Sequence, residues 1–191
     1  TVQDAGCIGA DTVMTVKGID YRLDSLIPEA PVDRFLGGRF AVFFLSPSDC
    51  HRVYAPQTGT LEDVTHVPGY RLLVHPPYQR REFPVFTLNE RVVLRMTTPF
   101  GACIVVMVAG WGVGHVTLPF DAEFRPRAPR ITRRNYVDGH PMDRGDWLAT
   151  FELGSTAILL LERADRTVPL VNPGDVVRFG QPAFGVVGAS S

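Results

Sequence analysis

Leu153-Gly154-Ser155-Thr156 leads straight into Ala157-Ile158-Leu159-Leu160-Leu161, and the rest of the architecture is read outward from this stretch. A Gly-Ser pair in front of a short apolar run reads as a tight turn entering a buried strand. Residues 91–96 and 102–109 look like paired buried strands, the second interrupted by Gly110-Trp111-Gly112-Val113-Gly114. Residues 39–45 are β-branched and aromatic, a strong strand that delivers the chain into Ser46-Pro47. Shorter strands are expected at 12–18, 52–54 and 61–67, the last ending at Pro68-Gly69. Residues 155–191 add two strands, an Asn172-Pro173-Gly174-Asp175 turn and a Gly-rich end. Residues 20–27, with Tyr21, Leu23, Leu26 and Ile27 ahead of Pro28, read as a short helix, and residues 74–84 as an irregular loop. The 16 Pro and 18 Gly suit many turns between short strands. These signals predict a mainly β fold: one compact sandwich or barrel-like domain over residues 1–191, with short helices.

Composition narrows the function. The 191 residues are 45% hydrophobic and 20% charged, as in ordinary soluble proteins, and the formal net charge of -1 argues against a nucleic-acid partner. No apolar run approaches the ~20 residues that cross a bilayer, and no signal peptide is read at the start. Cys7, Cys50 and Cys103 are odd in number and widely spaced. They form neither a disulfide framework nor a zinc-ligand pattern, so no metal is expected and the thiols read as buried and free in a reducing compartment. Between residues 120 and 142 the strand pattern breaks down. Arg125, Arg127, Arg130, Arg133 and Arg134, interleaved with Pro126 and Pro129, read first as a solvated loop. The alternative for this run is a surface for anionic phospholipid headgroups.

Pattern alone makes the Gly154-Ser155 pair an ordinary turn, but glycine also removes the steric shield around its own carbonyl. Its neighbours extend the reading. Arg144-Gly145-Asp146-Trp147-Leu148-Ala149-Thr150-Phe151-Glu152-Leu153-Gly154-Ser155-Thr156 resembles the maturation segment of the phosphatidylserine decarboxylases. Further segments match in the same order: Val16-Lys17-Gly18 with Tyr21 and Leu23, Phe44-Leu45-Ser46-Pro47-Ser48-Asp49-Cys50-His51-Arg52-Val53, Asn89-Glu90-Arg91-Val92, and Gly174-Asp175-Val176-Val177 with Gly180-Gln181. The resemblance covers roughly residues 13–185.

This resemblance implies that Ser155 attacks the Gly154 carbonyl, that the resulting ester eliminates, and that position 155 becomes a pyruvoyl group at the start of a new chain. Such a group is an electron sink for decarboxylation, a task for which side chains are poor. Lys17, the only lysine, sits in a turn and need not hold a pyridoxal cofactor. The Ser155 hydroxyl needs a base, and the oxyanion at Gly154 needs donors, for which backbone N–H groups and the Thr156 hydroxyl are candidates. His51 matches the first His of the family's Asp-x-His-Arg-x-His segment, the one associated with decarboxylation and protonation of the product carbon. Tyr54 stands where the family has the second His, the base for self-cleavage, and a phenol with a pKa near 10 is no ready base at neutral pH. Three outcomes stay open there: His51 substitutes, another histidine among His66, His75, His115 and His140 reaches in, or the chain stays uncut. His115 and His140 read first as surface or structural residues, and Asn89-Glu90-Arg91 as structural.

In the family an Asp ahead of the Val-Lys-Gly segment drives cleavage. Counting back puts it just before Thr1, and Asp4 and Asp11 have the wrong spacing, so an N-terminal segment is expected upstream. The resemblance further implies a phospholipid or small-molecule substrate, a homo-oligomer, exposed apolar residues near 21–28 at the substrate entrance, and a cytoplasmic protein with peripheral membrane contact. Two alternatives stand beside phosphatidylserine decarboxylation. One is a decarboxylase of a free or modified amino acid in a biosynthetic pathway. The other is an unprocessed relative with a binding or different catalytic role.

Overall fold

Successive side chains of a strand point to opposite faces, so a strand apolar at every position must be covered on both. The runs at 102–108 and 157–161 meet that condition. The computed structural model describes the chain except residues 76, 78, 113–114, 125, 127, 153–155, 163–166 and 187–191. Its elements are β1 (Val2–Cys7), β2 (Val13–Val16), β3 (Ile19–Arg22), α1 (Leu23–Leu26), β4 (Arg39–Phe44), β5 (Arg52–Tyr54), β6 (Gly59–Val67), α2 (Val85–Leu88), β7 (Arg91–Thr98), β8 (Gly101–Val108), β9 (Val116–Thr117), β10 (Thr132–Met142), β11 (Trp147–Phe151), β12 (Thr156–Leu161), β13 (Thr167–Pro169) and β14 (Phe184–Val186).

A seven-stranded antiparallel sheet in the order β1-β4-β12-β8-β7-β6-β10 forms the centre. Phe40 and Val42, Ile158 and Leu160, Ile104 and Val106, and Val93 project from one face onto Tyr21, Leu23, Leu26, Ile27, Phe35 and Phe86. The intervening Cys103, Val105, Met107, Val92, Leu94 and Met96 project from the other face onto Val116, Leu148, Ala149 and Phe151. The latter belong to a small sheet of order β5-β11-β9. The result is a sandwich with short helices on the outer side, in agreement with the predicted class. Each fully buried Leu or Ile contributes about 1.5–3 kcal/mol of transfer free energy, which is why the central runs are continuously apolar.

The Val16-Lys17-Gly18 segment is the β2–β3 hairpin. Lys17 and Gly18 both have positive φ, 49° and 76°, as a two-residue turn matched to strand twist requires. Asp4 accepts the Lys17 N–H at 2.8 Å and holds the turn against β1.

Three expectations are corrected. Residues 120–142 do not form one solvated loop: β10 pairs along β6, although a register shift between Asn135 and His140 and an exposed outer face hide any period of two. Such irregularity and charge are common on edge strands. Arg133 and Arg134 are accordingly tied to Asp63 and to Asp121 and Glu123, not offered to headgroups. Second, Tyr21, Leu23, Leu26 and Ile27 are fully buried, so residues 21–28 supply core and not an exposed apolar surface. The helix there shrinks to Leu23–Leu26, because Tyr21 is drawn into β3. Third, β1 carried no apolar period that sequence reading detects, and pairing with β4 makes it a strand.

Candidate active site

One row of residues closes one end of the central sheet. Thr156 pairs with Phe44 on one side and Val108 on the other, Val108 with Arg91, and Arg91 with Val67. The Phe44 N–H donates to the carbonyl of Thr1, whose backbone nitrogen donates to the Phe44 carbonyl at 2.9 Å. The loops after β4 and β8, the connection from β6 to β7, and the segment before β12 therefore all issue from this end.

The turn after β4 orients His51. Asp49 caps it, its carboxylate accepting the Ser46 N–H at 2.8 Å while its own N–H donates to the Ser46 carbonyl. The same carbonyl faces His51 Nε2 at 3.0 Å. A carbonyl only accepts, so Nε2 carries a proton and Nδ1 is the nitrogen left for proton exchange. The His51 carbonyl accepts the N–H of Phe151, the last residue of β11, at 3.0 Å. From the opposite side, the His115 carbonyl accepts the N–H of Glu152 at 3.0 Å. Two histidines thus flank β11 where it runs toward Gly154 and Ser155, which themselves lie outside the described residues. Thr156 begins the next strand, fully buried, and its Oγ1 has no hydrogen-bond partner among the described residues.

Tyr54 is not brought to this end. It pairs with Trp147, at the start of β11, and its ring packs on Phe179 at 4.1 Å. Three residues of strand, about 10 Å, separate it from His51. His140 lies at the opposite end of the sheet beside Leu61, stacked on Phe120 at 4.5 Å. His75 meets the Phe44 ring edge-on at 5.2 Å. Cys103 is buried, which pushes its thiol up to about 12, but Cys7 and Cys50 are exposed, correcting the expectation of three buried thiols.

The Asn89-Glu90-Arg91 segment braces this end. Asn89 is fully buried; its amide N–H groups donate to the carbonyls of Leu72 and Ala109, both at 2.8 Å, and its Oδ1 accepts the Leu72 N–H. Gly69 allows the chain to run against this segment, since an added Cβ would lie 2.5 Å from the Leu88 carbonyl oxygen. Arg91 donates to the carbonyls of Ser25, Leu26, Thr87 and Asn89, and burial lowers its pKa to about 10. Burial alone would raise the Glu90 carboxyl, yet hydrogen bonds from His66 and Arg71 outweigh it and hold the group below the usual range. A lowered carboxyl stabilises the fold above the ordinary glutamate value near pH 4.3 and loses that contribution as pH falls through its folded value. Denaturation midpoints measured between roughly pH 3 and 6 are expected to drop on acidification, with a shallower drop in Glu90→Gln.

Comparisons with known proteins give the family. The family profile described as phosphatidylserine decarboxylase matches residues 1–185. The chain belongs to the phosphatidylserine decarboxylase family. It is 38% identical to the phosphatidylserine decarboxylase proenzyme of Anaeromyxobacter sp. (strain K) over 96% of its length and 67% of that protein. It is 30% identical to the proenzyme of Blochmanniella pennsylvanica over 95% of this chain and 66% of that one, and 33% identical to that of Alcanivorax borkumensis over 93% and 62%. The chain therefore spans about two thirds of the length of these relatives. Phosphatidylserine decarboxylases are carboxy-lyases made as proenzymes, with a pyruvoyl group formed from a serine.

The structural role read for Asn89-Glu90-Arg91 agrees with this brace, whereas sequence reasoning missed the approach of His115 to Glu152 and an exposed apolar rim. Tyr70, Leu72 and Leu73 on the β6–β7 connection and Trp111 after β8 are exposed, Trp111 at 75%. Asn89 links the two loops, because it bonds Leu72 and Ala109 together. Alternation gives no sign of such a rim, since it lies in loops.

Proposed function

We propose that this chain is the catalytic body of a pyruvoyl-dependent decarboxylase acting on phosphatidylserine, with the cofactor generated from Ser155 by cleavage of the Gly154-Ser155 bond. The observation that carries the proposal is the convergence, at one sheet end, of the two segments matching the family's motifs: the His51 turn and the strand opening at Thr156. The surroundings fit the group. The buried Thr156 hydroxyl, with no partner among the described residues, is a donor available to a carbonyl or oxyanion on the adjoining residues. A pyruvoyl group supplies an electron sink for the pair left when carboxylate departs. His51, held at Nε2 by the Ser46 carbonyl, delivers a proton from Nδ1 to the product carbon.

Phosphatidylserine is favoured over a free amino acid by the apolar rim of Tyr70, Leu72, Leu73 and Trp111. It takes the role that residues 21–28 were expected to fill. Aromatic and aliphatic side chains suit the headgroup region of an anionic membrane, and exposed Arg130 precedes Thr132, which pairs with His66 near the same end. No helix among the described residues is long and apolar enough to cross a bilayer, so contact would be peripheral.

Carboxyl-labelled phosphatidylserine in vesicles and carboxyl-labelled free serine separate the readings. Labelled carbon dioxide is expected from the lipid alone. Release from serine at an equal rate would shift the substrate to the amino acid, and release from neither would end the decarboxylase reading.

A further inference from the structure

A histidine that hands over a proton needs its other nitrogen fixed, because the partner of that nitrogen sets both the tautomer and the orientation of the ring. For His51 that partner is a backbone group, the Ser46 carbonyl five residues back, so the aim of the ring depends on how the intervening turn is held. We infer that Asp49 holds it, as a positioning residue for His51, an assignment that rests on the function proposed above.

Asp49 grips Ser46 by both of its backbone groups. Its Oδ2 accepts the Ser46 N–H at 2.8 Å, and its own N–H donates to the Ser46 carbonyl at 2.9 Å. The second bond closes a four-residue turn with Pro47 in its second position, where the ring presets φ at about -65°. A carbonyl oxygen has two lone pairs: the Asp49 N–H takes one here, and His51 Nε2 faces the same oxygen at 3.0 Å. The frame around the turn is anchored on both sides. Phe44, two residues before Ser46, pairs with Thr156 of β12, and the His51 carbonyl accepts the N–H of Phe151 in β11. Between these anchors Ser46 is half-buried and residues 47–50 are exposed, so hydrogen bonds rather than packing set the Ser46 peptide. The neighbouring Ser48 meets Ser46 through the two hydroxyls, at 2.9 Å, and not through its backbone. The Asp49 carboxylate is therefore the side chain whose removal lets the Ser46 carbonyl turn, and the imidazole with it.

The test compares Asp49→Ala, Asp49→Asn and, as a control in the same turn, Ser48→Ala. Each is made as the full-length protein with isotopically labelled histidine, whose ring nitrogens report the tautomer by NMR. Release of labelled carbon dioxide from phosphatidylserine vesicles is expressed per cleaved chain. Asp49→Ala is expected to lower kcat by about 10–100-fold with KM little changed, the scale of a misplaced catalytic group, and to turn the single Nε2–H form of His51 into a mixture of tautomers. Asp49→Asn, whose amide oxygen accepts the same N–H, is expected to restore both, and Ser48→Ala to match the wild type. The exposed turn is expected to leave the melting temperature of all three near that of the wild type. Wild-type kcat in Asp49→Ala would overturn the inference. So would an Asp49→Asn protein as slow as Asp49→Ala, or a slow Asp49→Ala protein that keeps the Nε2–H form, since either result gives Asp49 a role other than aiming His51. A wild-type protein that releases no carbon dioxide would end the decarboxylase reading alone, and the ring-nitrogen spectra of the same variants would still decide whether Asp49 orients His51.

Discussion

Ser155→Ala is expected to remain one uncut chain and to release no carbon dioxide above the uncatalysed level. Without the hydroxyl there is no attack on Gly154, hence no ester, no elimination and no pyruvoyl group. Nothing else among the described residues offers a comparable electron sink, since the one lysine is exposed in the β2–β3 turn. Loss of the sink removes the whole rate enhancement, about 10⁶-fold or more for a typical enzyme. Under denaturing conditions the variant is expected to run as a single species, where the wild-type chain separates at residue 154 into two. The shorter piece, residues 155–191, is expected to carry a blocked, pyruvoyl-bearing terminus. Residual activity in an uncut Ser155→Ala protein with wild-type melting behaviour would exclude the pyruvoyl mechanism.

The second large effect is expected at His51. His51→Ala removes a proton donor, and the rate of labelled carbon dioxide release from phosphatidylserine is expected to fall by about 10²–10⁴-fold. Cleaved pieces are expected in this variant, because the proton handled by His51 belongs to the later step. The fold should tolerate the change: the side chain is half-buried, and its one described hydrogen bond is to the Ser46 carbonyl, which keeps the Asp49 N–H as a donor. A His51→Ala protein that stays uncut would instead make His51 the base for cleavage as well.

How much of this was legible beforehand depended on what each segment buries. The runs at 91–96, 102–109 and 157–161 announced themselves because both sides of those strands are covered, so apolar residues dominate them, with Arg91 and Arg95 the exceptions. β10 and β1 were missed or misread, because each lies at an edge of the sheet, where pairing on one side alone fixes the strand. The short helix was placed correctly but its face was not: Tyr21 and Leu23 look amphipathic in isolation, and only the hairpin folding back against α2 buries them. Within the site, the order of the matching segments pointed to His51, Thr156 and the Gly154-Ser155 bond. The approach of His115 was illegible for a physical reason. It comes from the pairing of β9 with β11, continued one residue further by the Glu152–His115 backbone hydrogen bond, which side-chain pattern does not encode.

The place of β12 has a consequence for the molecule after maturation. A cut in front of Thr156 would leave this strand as the first element of a small separate polypeptide, still zipped between β4 and β8 through every residue from Thr156 to Leu161. Its Ile158 and Leu160 would remain in one core and its Leu161 in the other. The mature protein would then be two chains sharing one interior, inseparable without unfolding, with Thr156, next to the new terminus, held in the row at the sheet end. Reassembly from the separated pieces would require a bimolecular search for the middle of a sheet. A proenzyme would fold that strand while it is still tethered, and scission afterwards would turn a folding problem already solved into a kinetic lock.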